Sequence, residues 1–167
     1  MKVLVATTNL GKIKEFEGIF PKNIEILTLR DFNIDIDVEE TGKTFHQNAF
    51  LKANEYYKLS NIPTISEDSG LEVSELKGEP GIYSARYGGE NLNDQDRVDL
   101  ILKKLLPVQN NKRQARFISV ICGVGFTSKP IYSEGLLEGF ISEHKEGKNG
   151  FGYDPIFIPL GSNKTTA

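Results

Sequence analysis

Residues 115–126, Ala-Arg-Phe-Ile-Ser-Val-Ile-Cys-Gly-Val-Gly-Phe, constrain the fold more than any other stretch. The run is apolar on both faces and rich in branched residues. A strand of that kind has to be covered on both sides, so it is expected to lie centrally in a sheet. Residues 131–143 follow after a short polar turn and are expected to pair with it as a hairpin. Near the N-terminus, Val3-Leu4-Val5-Ala6 stops at Thr7-Thr8-Asn9. A Gly11-Lys12 pair follows, then apolar residues at Ile13, Phe16, Ile19 and Phe20. The pattern reads as strand, turn, helix. Residues 24–29 read as a second strand. Residues 44–59 read as a helix, with Phe45, Ala49, Ala53 and Tyr56 or Tyr57 on one stripe and Lys52, Glu55 and Lys58 on the other side. Residues 63–76 are expected to form a short strand, a polar corner and another strand. Asn93 or Asp94 caps a helix carrying Val98, Ile101, Leu102 and Leu105, which Pro107 ends. Helices and strands mix without a strict βαβ rhythm, which gives an α/β or α+β class with a mixed sheet.

A chain of 167 residues is expected to form one domain, residues 1–167. A chain of about 150 residues buries roughly 68–70% of its unfolded surface. The net charge of −3 gives no reason to expect a nucleic-acid coat or an anionic membrane as partner. Cys122 is the single cysteine, so no disulfide forms within the chain, and a reducing cytoplasm fits. The N-terminus matches neither a signal peptide nor a membrane span.

Four stretches bear on chemistry. At 7–12, a P-loop would need a glycine where Ala6 stands and Ser or Thr where Ile13 stands. A helix starting near Gly11 would still present unpaired N–H groups and a positive dipole end, with Lys12 beside them. The other reading is an ordinary strand–helix turn. At 65–73, Glu67 and Asp68 end a short apolar run. On a strand they point to opposite faces, so only one can aim into a given pocket. Asp68, next to Ser69-Gly70, is the better candidate, unless Asp-Ser-Gly is simply a polar turn. Glu40 precedes a Thr-Gly turn, and convergence of Glu40 with Asp68 would suit magnesium, which takes one or two carboxylates plus phosphate oxygens. At 144–159, Gly147, Gly150 and Gly152 with Lys145 and Lys148 make a cationic loop. Phe151 and Tyr153 then alternate into a strand carrying Ile156, Phe157 and Ile158. The aromatics either serve a planar base or return to the core. Asp35-Ile36-Asp37-Val38 resembles a phosphatase motif but lacks a leading apolar strand. His46 and His144 show no zinc spacing.

The residues Thr7-Thr8-Asn9-Leu10-Gly11-Lys12 with Glu15, Glu40-Thr41-Gly42, Thr44-Phe45, Asn48-Ala49, Asp68-Ser69-Gly70-Leu71, Pro80 to Tyr87 and Phe151-Gly152-Tyr153-Asp154-Pro155 resemble, in this order, the inosine triphosphate pyrophosphatase family. The resemblance spans essentially the whole chain. It implies an α/β fold with an elongated mixed central sheet and flanking helices, in two lobes around a nucleotide-binding cleft. It also implies a homodimer, Mg2+, and hydrolysis of inosine, xanthosine and deoxyinosine triphosphates to monophosphate and pyrophosphate. By position, Thr7, Thr8, Asn9, Leu10, Gly11 and Lys12 would hold the triphosphate. Glu40 and Asp68 would bind the metal, and Asp68 would also orient or deprotonate the attacking water. Ser69 would touch the substrate, and Phe151, Gly152, Tyr153 and Asp154 would line the base pocket. The family continues into a lysine-bearing helix and a Ser-His-Arg motif that contacts the purine. No Ser-His-Arg occurs in these residues, so residues 1–167 alone are expected to bind triphosphates weakly, with little preference for inosine. A pyrophosphatase for other nucleotides and a non-catalytic nucleotide-binding protein are the alternatives.

Overall fold

The computed structural model describes residues 1–167. Six strands form one mixed sheet: β1 (Lys2–Val5), β2 (Glu25–Thr28), β3 (Thr64–Val73), β4 (Gln114–Val124), β5 (Ile131–Ile141) and β6 (Phe157–Pro159), in the order β2-β1-β3-β4-β5-β6. The apolar β4 is interior to the sheet, as its two-faced pattern requires. β1 runs parallel to β2 and β3, while β5 and β6 are antiparallel. Three longer helices, α1 (Leu10–Ile19), α2 (Phe45–Ser60) and α3 (Asp94–Lys104), complete the α/β fold. The chain divides into two compact units: residues 1–68 with 119–134, and residues 69–118 with 135–167.

In the first unit, α2 is bounded by its own sequence. Thr44 Oγ1 accepts from the Gln47 N–H at 3.2 Å. At the other end Asn61 takes a left-handed conformation, φ 55°, and its N–H bonds the Tyr57 carbonyl. Phe45, Ala49, Ala53 and Tyr56 form the buried stripe. The Tyr56 ring packs with Leu4, Ala6 and Leu29, and its hydroxyl donates to the Ile36 carbonyl at 2.9 Å. β2 ends at Thr28 rather than 29, because Asp31 Oδ2 accepts from the Thr28 N–H and hydroxyl at 2.7 and 2.9 Å and folds Leu29–Phe32 into a 3-10 turn. Asp35 and Asp37 are exposed, and no strand leads into them.

The expected corner within 63–76 is absent. β3 is one ten-residue strand that runs straight through Asp68-Ser69-Gly70. Burial alternates with period two from Thr64 to Gly70, so Ser66 and Asp68 are carried to a buried face. Two groups along it find long-range partners: the Ser66 hydroxyl donates to the Ala49 carbonyl, and the Leu71 N–H donates to Ser84 Oγ at 2.9 Å. Local turn chemistry yields to these longer-range bonds. The strand expected through 153–158 is likewise shorter. Asp154–Ile156 is a 3-10 turn, and β6 begins only at Phe157. Pro155 has no N–H to donate to a ladder, and the Asp154 carboxylate accepts from the Phe151 N–H at 2.9 Å.

The second unit is built on α3, which is capped by reciprocal bonds between Asn93 and Asp96. Its Val98 and Ile101 pack with Leu71, Val73, Ile156 and Phe157. Arg113 is buried without a carboxylate partner in reach. Its guanidinium donates to the carbonyls of Leu105, Val108 and Ser142 at 2.8, 3.2 and 2.8 Å. The fork thus ties the end of α3 to the end of β5. A lysine has one ammonium and cannot reproduce three divergent bonds. Arg113→Lys is expected to cost about 2–4 kcal/mol of stability, read as a lowered urea midpoint with unchanged slope.

Candidate active site

The first unit holds most of the residues that the sequence singles out. β1 ends at Val5, level with Ile65 of β3, and β2 pairs on its other edge. The carboxyl end of β1 is therefore a point where successive connections leave in opposite directions, the usual place for a ligand in such sheets. Thr7, Thr8 and Asn9 occupy it. Asn9 caps α1: its Oδ1 accepts from Gly11 and Lys12 N–H groups at 2.8 and 3.3 Å, and its carbonyl accepts from Ile13 N–H at 3.1 Å. The asparagine N-cap thus overturns the expectation of unpaired N–H groups at Gly11 and Lys12. The positive charge offered here is the Lys12 ammonium itself. It lies 3.2 Å from a carboxylate oxygen of Glu67.

Asp68 and Glu67 do point to opposite faces of β3, and each has its own lysine. Lys52 Nζ is 2.6 Å from Glu40 Oε1 and 3.4 Å from Asp68 Oδ1. Glu40 and Asp68 thus converge on one ammonium. Sequence periodicity set Lys52 on the polar side of α2, away from any site. The available signal was its spacing, four residues after Asn48 and three after Ala49, both of which are fully buried. Asn48 also shapes the approach to Glu40, because its Oδ1 accepts from the Gly42 N–H at 2.8 Å. A β-carbon on Gly42 would stand 2.5 Å from that same oxygen, so only glycine lets the loop close on α2.

Burial raises the Asp68 carboxyl above its ordinary range. The Lys52 charge opposes that shift and the Glu40 charge adds to it. Asp68 Oδ2 and Asn48 Nδ2 are both buried and make no hydrogen bond of normal length, although the Asn48 amide is near enough to favour the charged carboxylate. A buried carboxylate oxygen that no donor fully satisfies is costly unless something else engages it. No group of three or more His, Cys, Asp or Glu side chains is assembled as an all-protein metal cage. Two hard carboxylates with one oxygen unused fit a magnesium ion that completes its shell with phosphate oxygens and water.

The remaining candidates lie in the second unit. Ser69 is half-buried on β3, one residue past Asp68. The Phe151 ring is 47% exposed, whereas Tyr153 is buried, and its hydroxyl donates to the Ser84 carbonyl at 2.9 Å. Burial pushes the Tyr153 phenol well up, so it stays a donor. Of the two aromatics, Tyr153 is the one that returns to the core. Gly152 takes φ 57°, and its N–H bonds Asp94 Oδ2 at 3.2 Å. Asp154 accepts from the Thr166 hydroxyl at 2.8 Å. The Pro80–Tyr87 stretch serves this framework through Ser84, which holds Leu71, Gly81 and Tyr153 together.

Residues 3–167 match the model of the Ham1 family. The chain belongs to the Ham1 family. It is 46% identical over 160 residues to the dITP/XTP pyrophosphatase of Bacillus anthracis, covering 93% of this chain and 79% of that protein. It is 45% identical over 168 residues to the dITP/XTP pyrophosphatase of Oceanobacillus iheyensis, covering 99% and 85%. The solved Ham1 protein of Staphylococcus aureus superposes with a TM-score of 0.89 at 43% identity, over 100% of this chain and 85% of that one. A Ham1 protein from Coxiella burnetii gives 0.90 at 35% identity, over 100% and 86%. The family and the α/β fold expected from the motifs are those of these Ham1 proteins.

The buried carboxylate has a consequence for stability in this Ham1-family chain. A carboxyl whose folded pKa is raised binds its proton more tightly in the native state. Its ionisation therefore costs nothing well below the ordinary value of 3.8 and costs progressively more as pH rises through the raised folded pKa. Asp68→Asn is nearly isosteric, leaves Lys52 paired with Glu40, and removes that cost. Chemical denaturation is expected to show the variant no less stable than wild type at neutral pH. Its advantage should shrink as pH falls toward the ordinary Asp range.

Proposed function

We propose that the protein is a magnesium-dependent nucleoside triphosphate pyrophosphohydrolase that acts on inosine and xanthosine triphosphates and their deoxy forms. The observation that carries this reading is the buried Asp68, which shares Lys52 with Glu40 and keeps one carboxylate oxygen without a full hydrogen bond. The naming of its relatives as dITP/XTP pyrophosphatases supports the substrate class.

Glu40 and Asp68 would hold the magnesium ion, which neutralises phosphate charge when bound. Lys12, on the first turn of α1, grips the outer phosphates, with Thr7, Thr8 and Asn9 beside it. Asp68 accepts a proton from a water molecule, and the water oxygen bonds to the α-phosphorus. The bond from the α-phosphorus to the bridging oxygen breaks, and pyrophosphate leaves with that electron pair. The raised affinity of Asp68 for a proton suits it to the base role. Lys52 keeps the two carboxylates together before substrate arrives. Ser69, Phe151, Gly152 and Asp154 contribute to nucleotide recognition, with Phe151 supplying the accessible ring and the buried Tyr153 holding the loop in place.

On this reading the protein works in the cytoplasm, where the nucleotide pool is, and none of its helices is long and apolar enough to cross a membrane. It also works as a homodimer. Residues 131–138 of β5 are exposed throughout, although the strand is interior in the sheet order, and they include Ile131, Tyr132, Leu136 and Leu137 at 44–51% exposure. Ile131 and Leu137 share one face of the strand and Tyr132 and Leu136 the other, and a second copy would cover the exposed apolar groups of one face. Light scattering is expected to give twice the mass of the chain, and Leu137→Asp should shift the population toward monomer.

Product analysis tests the reaction. Incubation with dITP and magnesium is expected to give monophosphate and pyrophosphate, with no diphosphate. Asp68→Asn should lower kcat by at least about 10²–10⁴-fold, the usual loss for a general base, with the fold retained. Release of diphosphate and orthophosphate, or wild-type turnover in the variant, would contradict the assignment.

A further inference from the structure

Glu67 has no role in the reaction so far, yet its surroundings are built. It precedes Asp68 on β3 and faces the opposite side of the strand. Its side chain is 12% exposed and that of Lys12 is 18% exposed. One carboxylate oxygen accepts from the Ser119 hydroxyl of β4 at 2.8 Å, and the other lies 3.2 Å from Lys12 Nζ. Ser119, Glu67 and Lys12 thus form a relay within the first unit, running from the middle of the sheet to the first turn of α1.

We propose that Glu67 is a positioning residue for phosphate recognition, acting through Lys12 and itself oriented by Ser119. The proposal rests on the pyrophosphohydrolase reading above. A lysine side chain has four rotatable bonds and a compact charge that many geometries satisfy. Left alone, it gives up much of its freedom when it closes on a ligand. A half-buried carboxylate, held on its other oxygen, removes most of that freedom in advance. The ammonium has three donors, so its bond to Glu67 is compatible with a bond to phosphate. This arrangement differs from an exposed ion pair, whose contribution is small and easily screened.

A double-mutant cycle separates this role from a structural one. Glu67→Gln preserves size and removes the charge. In the otherwise wild-type protein, kcat/KM for dITP is expected to fall roughly 3- to 30-fold, mainly through KM. In the Lys12→Ala background the same change should alter kcat/KM less than about twofold, because the effect travels through the lysine. Equal losses in both backgrounds, or an unchanged or raised kcat/KM in the single variant, would overturn the proposal. Ser119→Ala serves if Glu67→Gln does not fold. Its expected loss is smaller, about 2- to 5-fold, and should vanish in the same background. A second readout needs no turnover: reductive methylation of Lys12, followed by mass spectrometry of the intact protein's peptides. Methylation should be several-fold faster in Glu67→Gln than in wild type. Unchanged labelling overturns the link between Glu67 and Lys12. Absence of dITP hydrolysis by the wild type, with faster labelling in the variant, would instead indict the proposed reaction.

Discussion

A carboxylate buried in the middle of a sheet strand is the constraint around which the first unit is arranged. Asp68 cannot be solvated where β3 puts it, so the fold must bring a cation to it. α2 does so with Lys52, and the same ammonium draws in Glu40 from the loop ahead of the helix. That loop can approach only because Gly42 lacks a side chain and bonds Asn48. The geometry of the carboxylate pair therefore depends on the helix cap at Thr44, the buried amide of Asn48 and a single glycine. One oxygen of Asp68 is still left over. An unpaired buried acceptor is a standing cost, and a cation arriving with a triphosphate is the ligand that would offset it.

The second acid on β3 follows a different logic. Strand alternation sends Glu67 to the other face, where Lys12 and Ser119 engage it. Two adjacent acids thus serve two lysines on two helices, and the sequence pair Glu67-Asp68 is a division of labour rather than a duplication. The second unit contributes in another way. Its buried Tyr153 and Ser84 lock the loop at 151–154 to the framework, leaving Phe151 as the exposed ring. An aromatic on a rigid loop can stack without first being ordered.

Much of this was readable from residue order. The two-faced apolar run at 115–126 announced an interior strand, the apolar stripe over 44–59 announced a helix, and a cap at Asn93 or Asp94 announced where another begins. The motifs at 7–12, 40–42, 68–71 and 151–155 announced the family. What escaped was decided by tertiary partners. Asp-Ser-Gly reads as a turn until Ser66, Leu71 and Ser84 hold β3 straight. Gly11-Lys12 reads as an open helix end until Asn9 caps it. Lys52 reads as a solvated helix residue, because periodicity ranks lysine as polar and is blind to a carboxylate sixteen residues away.

The proposed chemistry requires Glu40 and Asp68 together to receive a divalent cation. Manganese, a paramagnetic substitute for magnesium, tests it most directly when titrated with a non-hydrolysable triphosphate and followed by NMR. The amide signals of Glu40 and Asp68 and the side-chain amide of Asn48 should broaden first and together, and Asp68→Asn should abolish the effect. Broadening centred elsewhere, or unchanged broadening in that variant, would contradict it.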